Sequence, residues 1–133
     1  MAISIDDKIA LGEKLLEARQ CRGISQRKTA QAAKITNASL SDMENGYNFP
    51  KEETLVALIA FLSPPDELRN EIFEIYARAK DMPPPDISTF LKGNGDLQTL
   101  LRELMTKEIT SDGLQALRNE IKKMEDKKNG PTE

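Results

Sequence analysis

Histidine and tryptophan are absent from this sequence of 133 residues, and cysteine occurs once, as Cys21. Without histidine there is no Ser-His-Asp or Cys-His catalysis, no histidine metal site and no ordinary general base near neutral pH. A single cysteine forms neither an internal disulfide nor a cysteine zinc site, which fits a reducing cytoplasm. No Gly-rich phosphate loop is present. Apolar runs are short. The longest, Leu55 to Leu62, falls well below the ~18 residues of a membrane span. Met1 to Asp7 has no basic start and leads into no uninterrupted apolar stretch, so no secretory signal is read there. These absences argue against an enzyme, a metal site, a cofactor and a membrane protein. The expected location is cytoplasmic.

Aromatic residues make up only 5% of the chain, yet 38% of it is hydrophobic, too much for a disordered chain. The length suits one small domain with an appendage. Net charge is -3, which by itself disfavours a nucleic-acid binder. The average conceals an asymmetry. Lys14, Arg19, Arg22, Arg27, Lys28 and Lys34 stand against Glu17 alone, a local excess of +5 within 21 residues. From Lys51 onward 12 basic residues face 16 acidic ones. A basic front end on an acidic body asks for an anionic partner at one end.

Strand signals are poor and helical spacing is frequent, so the fold class is all-α. Leu11, Leu15 and Ala18 fall at i, i+4, i+7. Leu55, Leu58, Ile59 and Leu62 fall at i, i+3, i+4, i+7. Five helices are expected at about 7–21, 26–33, 37–45, 52–62 and 65–80. Ser25 and Thr36 are N-cap candidates for the second and third, and Gly23 and Gly46 sit where helices should stop. The run Asp81-Met82-Pro83-Pro84-Pro85-Asp86 lets no helix through, since three prolines remove three donors. It divides the chain into an expected domain at 1–80, a proline linker at 81–85 and a helical extension at 86–133. Three helices are expected there, at about 86–92, 96–107 and 111–127, the last capped by Ser111 or Asp112. Asn129 to Glu133 should be disordered.

The informative stretch runs from Gly23-Ile24-Ser25-Gln26 to Glu44-Asn45-Gly46. Two short helices are joined by Lys34-Ile35-Thr36, the gap a helix-turn-helix needs to set its second helix in a major groove. Ile24, Ala30, Ile35, Leu40 and Met43 occupy inward positions, with small Ala30 where the helices cross. The outward face of the second helix is short and polar: Asn37, Ala38, Ser39, Ser41, Asp42 and Asn45. Together with Leu11-Gly12, Leu15, Arg19, Pro50 and Glu53-Thr54-Leu55, these residues resemble the Cro and phage-repressor (XRE-type) helix-turn-helix family over residues 9 to 62.

That resemblance implies roles by position. Asn37, Ala38, Ser41 and Asp42 would face base edges. Gln26, Ser39, Asn45 and Tyr47 would meet phosphates, Gln26 otherwise supporting the base reader and Tyr47 otherwise plugging its loop. Arg22, Arg27 and Lys28 would add phosphate contacts. Arg19 and Glu44 would pair inside the domain. The sequence departs from the family pattern at three places. Lys34 replaces a common glycine and needs a left-handed backbone at a cost of about 1 kcal/mol. Ala38 and Asp42 replace longer amides. Asp42 cannot donate and repels phosphate, but it can accept from cytosine N4.

The tail offers two apolar stripes. One is Leu97, Leu100, Leu101, Leu104 and Met105. The other, Leu114, Leu117, Ile121 and Met124, has the 3-4-3 spacing of a heptad seam. Such stripes must bury against the domain, a second chain or another protein. One recognition helix reads few base pairs, so a homodimer paired through the second stripe is expected. Phe61, Phe73 and Tyr76 read as core or interface. Glu67, Glu71 and Glu74 read as a solvated helix face and Cys21 as a packed residue or surface thiol. The leading expectation is a regulator of transcription, a repressor reading an inverted repeat in double-stranded DNA. An antitoxin whose tail covers a toxin, and a protein-binding adaptor on the same fold, are the competing readings.

Overall fold

The computed structural model describes residues 2–129. Among them are eight α-helices and no strand: α1 (Ile5–Arg22), α2 (Gln26–Ala32), α3 (Asn37–Glu44), α4 (Glu52–Leu62), α5 (Asp66–Lys80), α6 (Pro85–Lys92), α7 (Gly95–Met105) and α8 (Ser111–Asn129). The all-α expectation is met, and every helix lies within a few residues of its expected place. Of the disorder expected from Asn129 to Glu133, Asn129 is instead the last residue of α8, and residues 130–133 lie outside the described ones.

Short polar side chains start the helices of the front end. Ser4, Ser25 and Thr36 each accept a hydrogen bond from the backbone N–H three residues on, at 3.0–3.1 Å. Each thereby satisfies a donor that the first helical turn leaves without a partner. Gly23 ends α1 in the left-handed region, with φ 63°. Lys34 also adopts it, at φ 58°, as its place in the turn demands. The last helix is capped one residue earlier than expected. Thr110, not Ser111 or Asp112, accepts from the Gly113 N–H at 3.1 Å.

The chain divides into two compact units, one ending at Lys92 and one starting at Gly93. In the first, α1 packs on α3 and α5, and α2 packs on α3 and α4. Leu11, Leu15 and Ala18 of α1 meet Leu40 and Met43 of α3, Leu55, Leu58 and Leu62 of α4, and Leu68, Ile72 and Tyr76 of α5 in one buried cluster. Fully burying such side chains contributes about 1.5–3 kcal/mol each. Gly12 lets α1 approach α3. A Cβ there would lie 2.4 Å from the Met43 carbonyl oxygen and 2.8 Å from that of Glu44. Phe49 stacks on Tyr76 with ring centroids 5.1 Å apart, and the Tyr76 hydroxyl donates to the Pro50 carbonyl at 3.1 Å. Phe73 and Tyr76 are core, while Phe61 is exposed.

The proline run is not the boundary expected from the sequence. Asp81 ends α5 in the left-handed region, and the Met82 N–H closes the turn onto the Ala77 carbonyl at 3.0 Å. Met82 then packs on the core, Pro85 is buried, and α6 lies against α4 and α5. The prolines stop one helix and redirect the chain, but their apolar rings bury readily. The first unit therefore includes residues 81–92, and the break falls at Gly93.

The second unit holds α7 and α8. Asn94 caps α7 by accepting from the Leu97 N–H at 3.3 Å. No residue of α7 is buried. Leu100, Leu101, Met105, Leu114, Leu117, Ile121 and Met124 are exposed, Met105 to 82%.

Candidate nucleic-acid interface

The local +5 of the sequence is sorted by the fold into paired and unpaired charge. Lys14 reaches Glu71 of α5 at 3.1 Å and Glu17 at 3.7 Å. Hydrogen bonding to Glu71 and the charges of Glu71 and Glu17 raise its pKa above the ordinary lysine value. Arg22 donates to the Leu62 carbonyl at 3.0 Å, closing the C-terminus of α4. The last carbonyls of α4 lack helical partners, and Arg22 itself remains exposed. Arg19 turns inward to Glu44. Among the described residues Arg27, Lys28 and Lys34 remain exposed with no ion pair, close in sequence to the turn between α2 and α3.

Arg19 and Glu44 pair as expected, tying α1 to α3. Arg19 Nε donates to Glu44 Oε2 at 2.7 Å and Nη2 to Oε1 at 3.0 Å, while Nη1 reaches the Ile24 carbonyl at 3.0 Å. The forked guanidinium matches the carboxylate at two points. Glu44 is only 8% exposed. The hydrogen bonds that Arg19 donates to Glu44 raise its pKa, burial opposes this, and the charge of Glu44 adds to it.

A third donor reaches the same carboxylate. Gln26, the first residue of α2, donates from Nε2 to Glu44 Oε1 at 2.9 Å and accepts from Asn37 Nδ2 at 3.1 Å. Gln26 thus supports the expected base reader. Asn37 and Ala38 open α3 and are exposed; Ser39, Ser41 and Asp42 are half-buried. Ser41 follows Asn37, and Asp42 follows Ala38, by four residues, so the four base-facing candidates lie on one strip of α3.

The loop after α3 turns tightly. Tyr47 and Asn48 both donate backbone N–H to the Asp42 carbonyl, at 2.8 and 3.4 Å. Gly46 has φ 80°, and a Cβ there would come within 3.0 Å of Ile9. Tyr47 is 71% exposed, so it does not plug the loop. Asn45 Nδ2 lies 3.4 Å from Ser41 Oγ. Asn48, in the same loop, brings Nδ2 to 3.5 Å from Asp42 Oδ2.

The candidates Leu114, Leu117, Ile121 and Met124 are exposed together along α8. Cys21 is exposed, a surface thiol rather than a packed one. No group of three His, Cys, Asp or Glu among the described residues is placed to hold a metal ion. No helix among them is long and apolar enough to cross a membrane.

Two short helices at a helix-turn-helix spacing, with a polar, braced face on the second, define the class of domain. A family model described as a helix-turn-helix domain matches residues 10–72. Residues 10–72 are thus similar to a helix-turn-helix domain, which is consistent with the XRE-type regulators. No curated protein and no solved structure shows significant similarity to the chain.

Proposed function

We propose that this chain is a sequence-specific transcriptional regulator, a cytoplasmic repressor that binds an inverted repeat in double-stranded DNA as a dimer. The observation that supports this best is Asn37, exposed at the start of α3 and held from behind by Gln26. An asparagine amide matches adenine N6 and N7 in the major groove. Ala38, Ser41 and Asp42 complete the base-facing strip. Arg27, Lys28, Ser39, Asn45 and Tyr47 are the proposed phosphate neighbours, and Gln26 serves the base reader. Arg22, exposed beside its bond to the α4 carbonyl, is a further proposed phosphate neighbour. Pairing through the exposed stripe of Leu114, Leu117, Ile121 and Met124 would place two recognition helices on one duplex face.

Duplex binding by the full chain should fall steeply with salt, since phosphate neutralisation releases counterions. Asn37→Ala should weaken the best site by about 1–3 kcal/mol and relax one of its positions. Binding that ignores salt, or an unchanged preference profile in the mutant, contradicts the assignment.

The same exposed stripe supports a second reading, in which the tail covers another protein. That protein would be a toxin if this chain is an antitoxin, or a signalling partner if it is an adaptor. The acidic balance of the chain and Asp42 favour the adaptor form. Salt-sensitive duplex binding separates it from both DNA-binding forms.

A further inference from the structure

A carboxylate accepts hydrogen bonds and cannot donate them. Glu44 is nearly buried, and three donors converge on it: Arg19 Nε, Arg19 Nη2 and Gln26 Nε2. That convergence fixes which end of the Gln26 amide faces inward. Its NH2 must point to Glu44, so its carbonyl oxygen points to Asn37, 3.1 Å from Nδ2. The Asn37 amide is then fixed as well, because its oxygen against that of Gln26 would be repulsive. One Asn37 N–H is used. The other N–H and Oδ1 remain for a base, in an order that the bond to Gln26 fixes.

We infer that Glu44 is a positioning residue for base recognition: through Gln26 it sets the donor–acceptor order that Asn37 presents, and so selects adenine. The inference rests on the DNA-binding reading above and adds a specificity role to a residue that otherwise only ties α1 to α3. Adenine offers the N7 acceptor and the N6 donor side by side in the major groove. An asparagine free to flip its amide offers either order and also suits a cytosine donor or a thymine acceptor. The chain Asn37, Gln26, Glu44 removes that freedom before DNA arrives.

The test is a set of duplexes that differ only at the position Asn37→Ala relaxes, taken from the site the full chain selects. The full chain should prefer adenine there by about ten- to a hundredfold. Glu44→Gln leaves a side chain of similar size that can either donate or accept. Gln26→Ala cuts the chain at an edge of the domain. Each should reduce the adenine preference severalfold, and the double variant should lose no more than Gln26→Ala alone. Partial unfolding lowers the apparent affinity for every duplex by one factor, so the preference ratio is blind to it. If Glu44→Gln fails to fold, Gln26→Ala decides. An unchanged ratio in Gln26→Ala, or in a folded Glu44→Gln, overturns the inference, as does a full chain with no adenine preference at that position.

If the full chain binds no duplex at all, the DNA-binding reading fails instead. The side-chain amides of the free protein then decide the chain of bonds. The Asn37 amide protons should be slow to exchange in the native chain and fast in Gln26→Ala. Fast exchange in the native chain overturns the bonding itself.

Discussion

The two units of this chain obey the same local rules and reach different ends. In both, a polar residue caps a helix: Ser25 and Thr36 in the first, Asn94 and Thr110 in the second. In both, leucines recur at helical spacing. Yet Leu11, Leu15, Leu40, Leu55 and Leu58 are at most 1% exposed, whereas Leu114 is 50% and Met124 67% exposed. Capping and periodicity make a helix; they do not tell it what to pack against. A first unit of six helices closes around its own apolar faces. Two helices with a five-residue link do not enclose theirs. A standard interface buries ~800 Å² on each partner, and seven large apolar side chains on α7 and α8 stand ready to supply such an area. One unit encloses its apolar side chains in a core, and the other leaves an apolar face exposed.

The largest expected effect lies in the first unit. Arg19→Ala leaves the nearly buried Glu44 without its guanidinium and should cost about 3 kcal/mol or more. Glu44→Ala should be similar, and the double variant should lose less than the sum of the two. Denaturant melts of the three variants check this, and strict additivity would remove the pair from the core of the domain. Next comes Gly12→Ala. A Cβ set against two carbonyl oxygens of α3 forces the helices apart, at about 1–3 kcal/mol. Thermal melts should show the loss, and a melting temperature equal to that of the native chain would mean that α1 does not touch α3 so closely.

Tyr76→Phe should be milder, about 1 kcal/mol for the lost hydrogen bond to Pro50. It carries a pH signature. Burial, with the charge of Glu52 adding to it, pushes the Tyr76 hydroxyl up from 10.0 to about 12. The fold therefore favours the neutral phenol. That contribution is complete below pH 10 and is lost as pH rises through about 12. Stability of the native chain should decline over this window, and Tyr76→Phe should lack that part of the decline. Parallel curves for the two proteins would contradict it.

The smallest effect on stability belongs to the tail. Leu117→Ser with Ile121→Ser should change the melting of the first unit by no more than about 0.5 kcal/mol, since both side chains are exposed in the single chain. Self-association should nevertheless disappear in sedimentation at micromolar concentration. A dimer that survives both substitutions would move the pairing surface elsewhere.

Much of the first unit can be read from the residues in order, because its signals are local. The caps at Ser25 and Thr36, the turn at Lys34 and the inward places of Ala30, Leu40 and Met43 follow from spacing within a few residues. The Arg19–Glu44 pair came only through resemblance to a known pattern. What spacing does not carry is partnership across distance. Arg22 meets a carbonyl 40 residues away, and Arg78 meets Asp7 across 71 residues at 3.0 Å. Neither is marked in the sequence as anything but a surface charge. The three prolines misplaced the boundary for a related reason. They report that a helix stops, while the burial of Met82 and Pro85 depends on α4 and α5. At the candidate site, Asn37 and Gln26 were legible singly, and their bond through to Glu44 was not.

The central claim is that α3 of the first unit reads DNA and that the second unit brings two such helices together. Selection of bound duplexes from a random library by the full chain tests both halves at once. The expected result is an inverted repeat whose half-site centres lie about 34–36 Å apart, one helical turn, with adenine fixed at one position of each half. Recovery of no enriched sequence, or of a single half-site without its inverted partner, would contradict the claim.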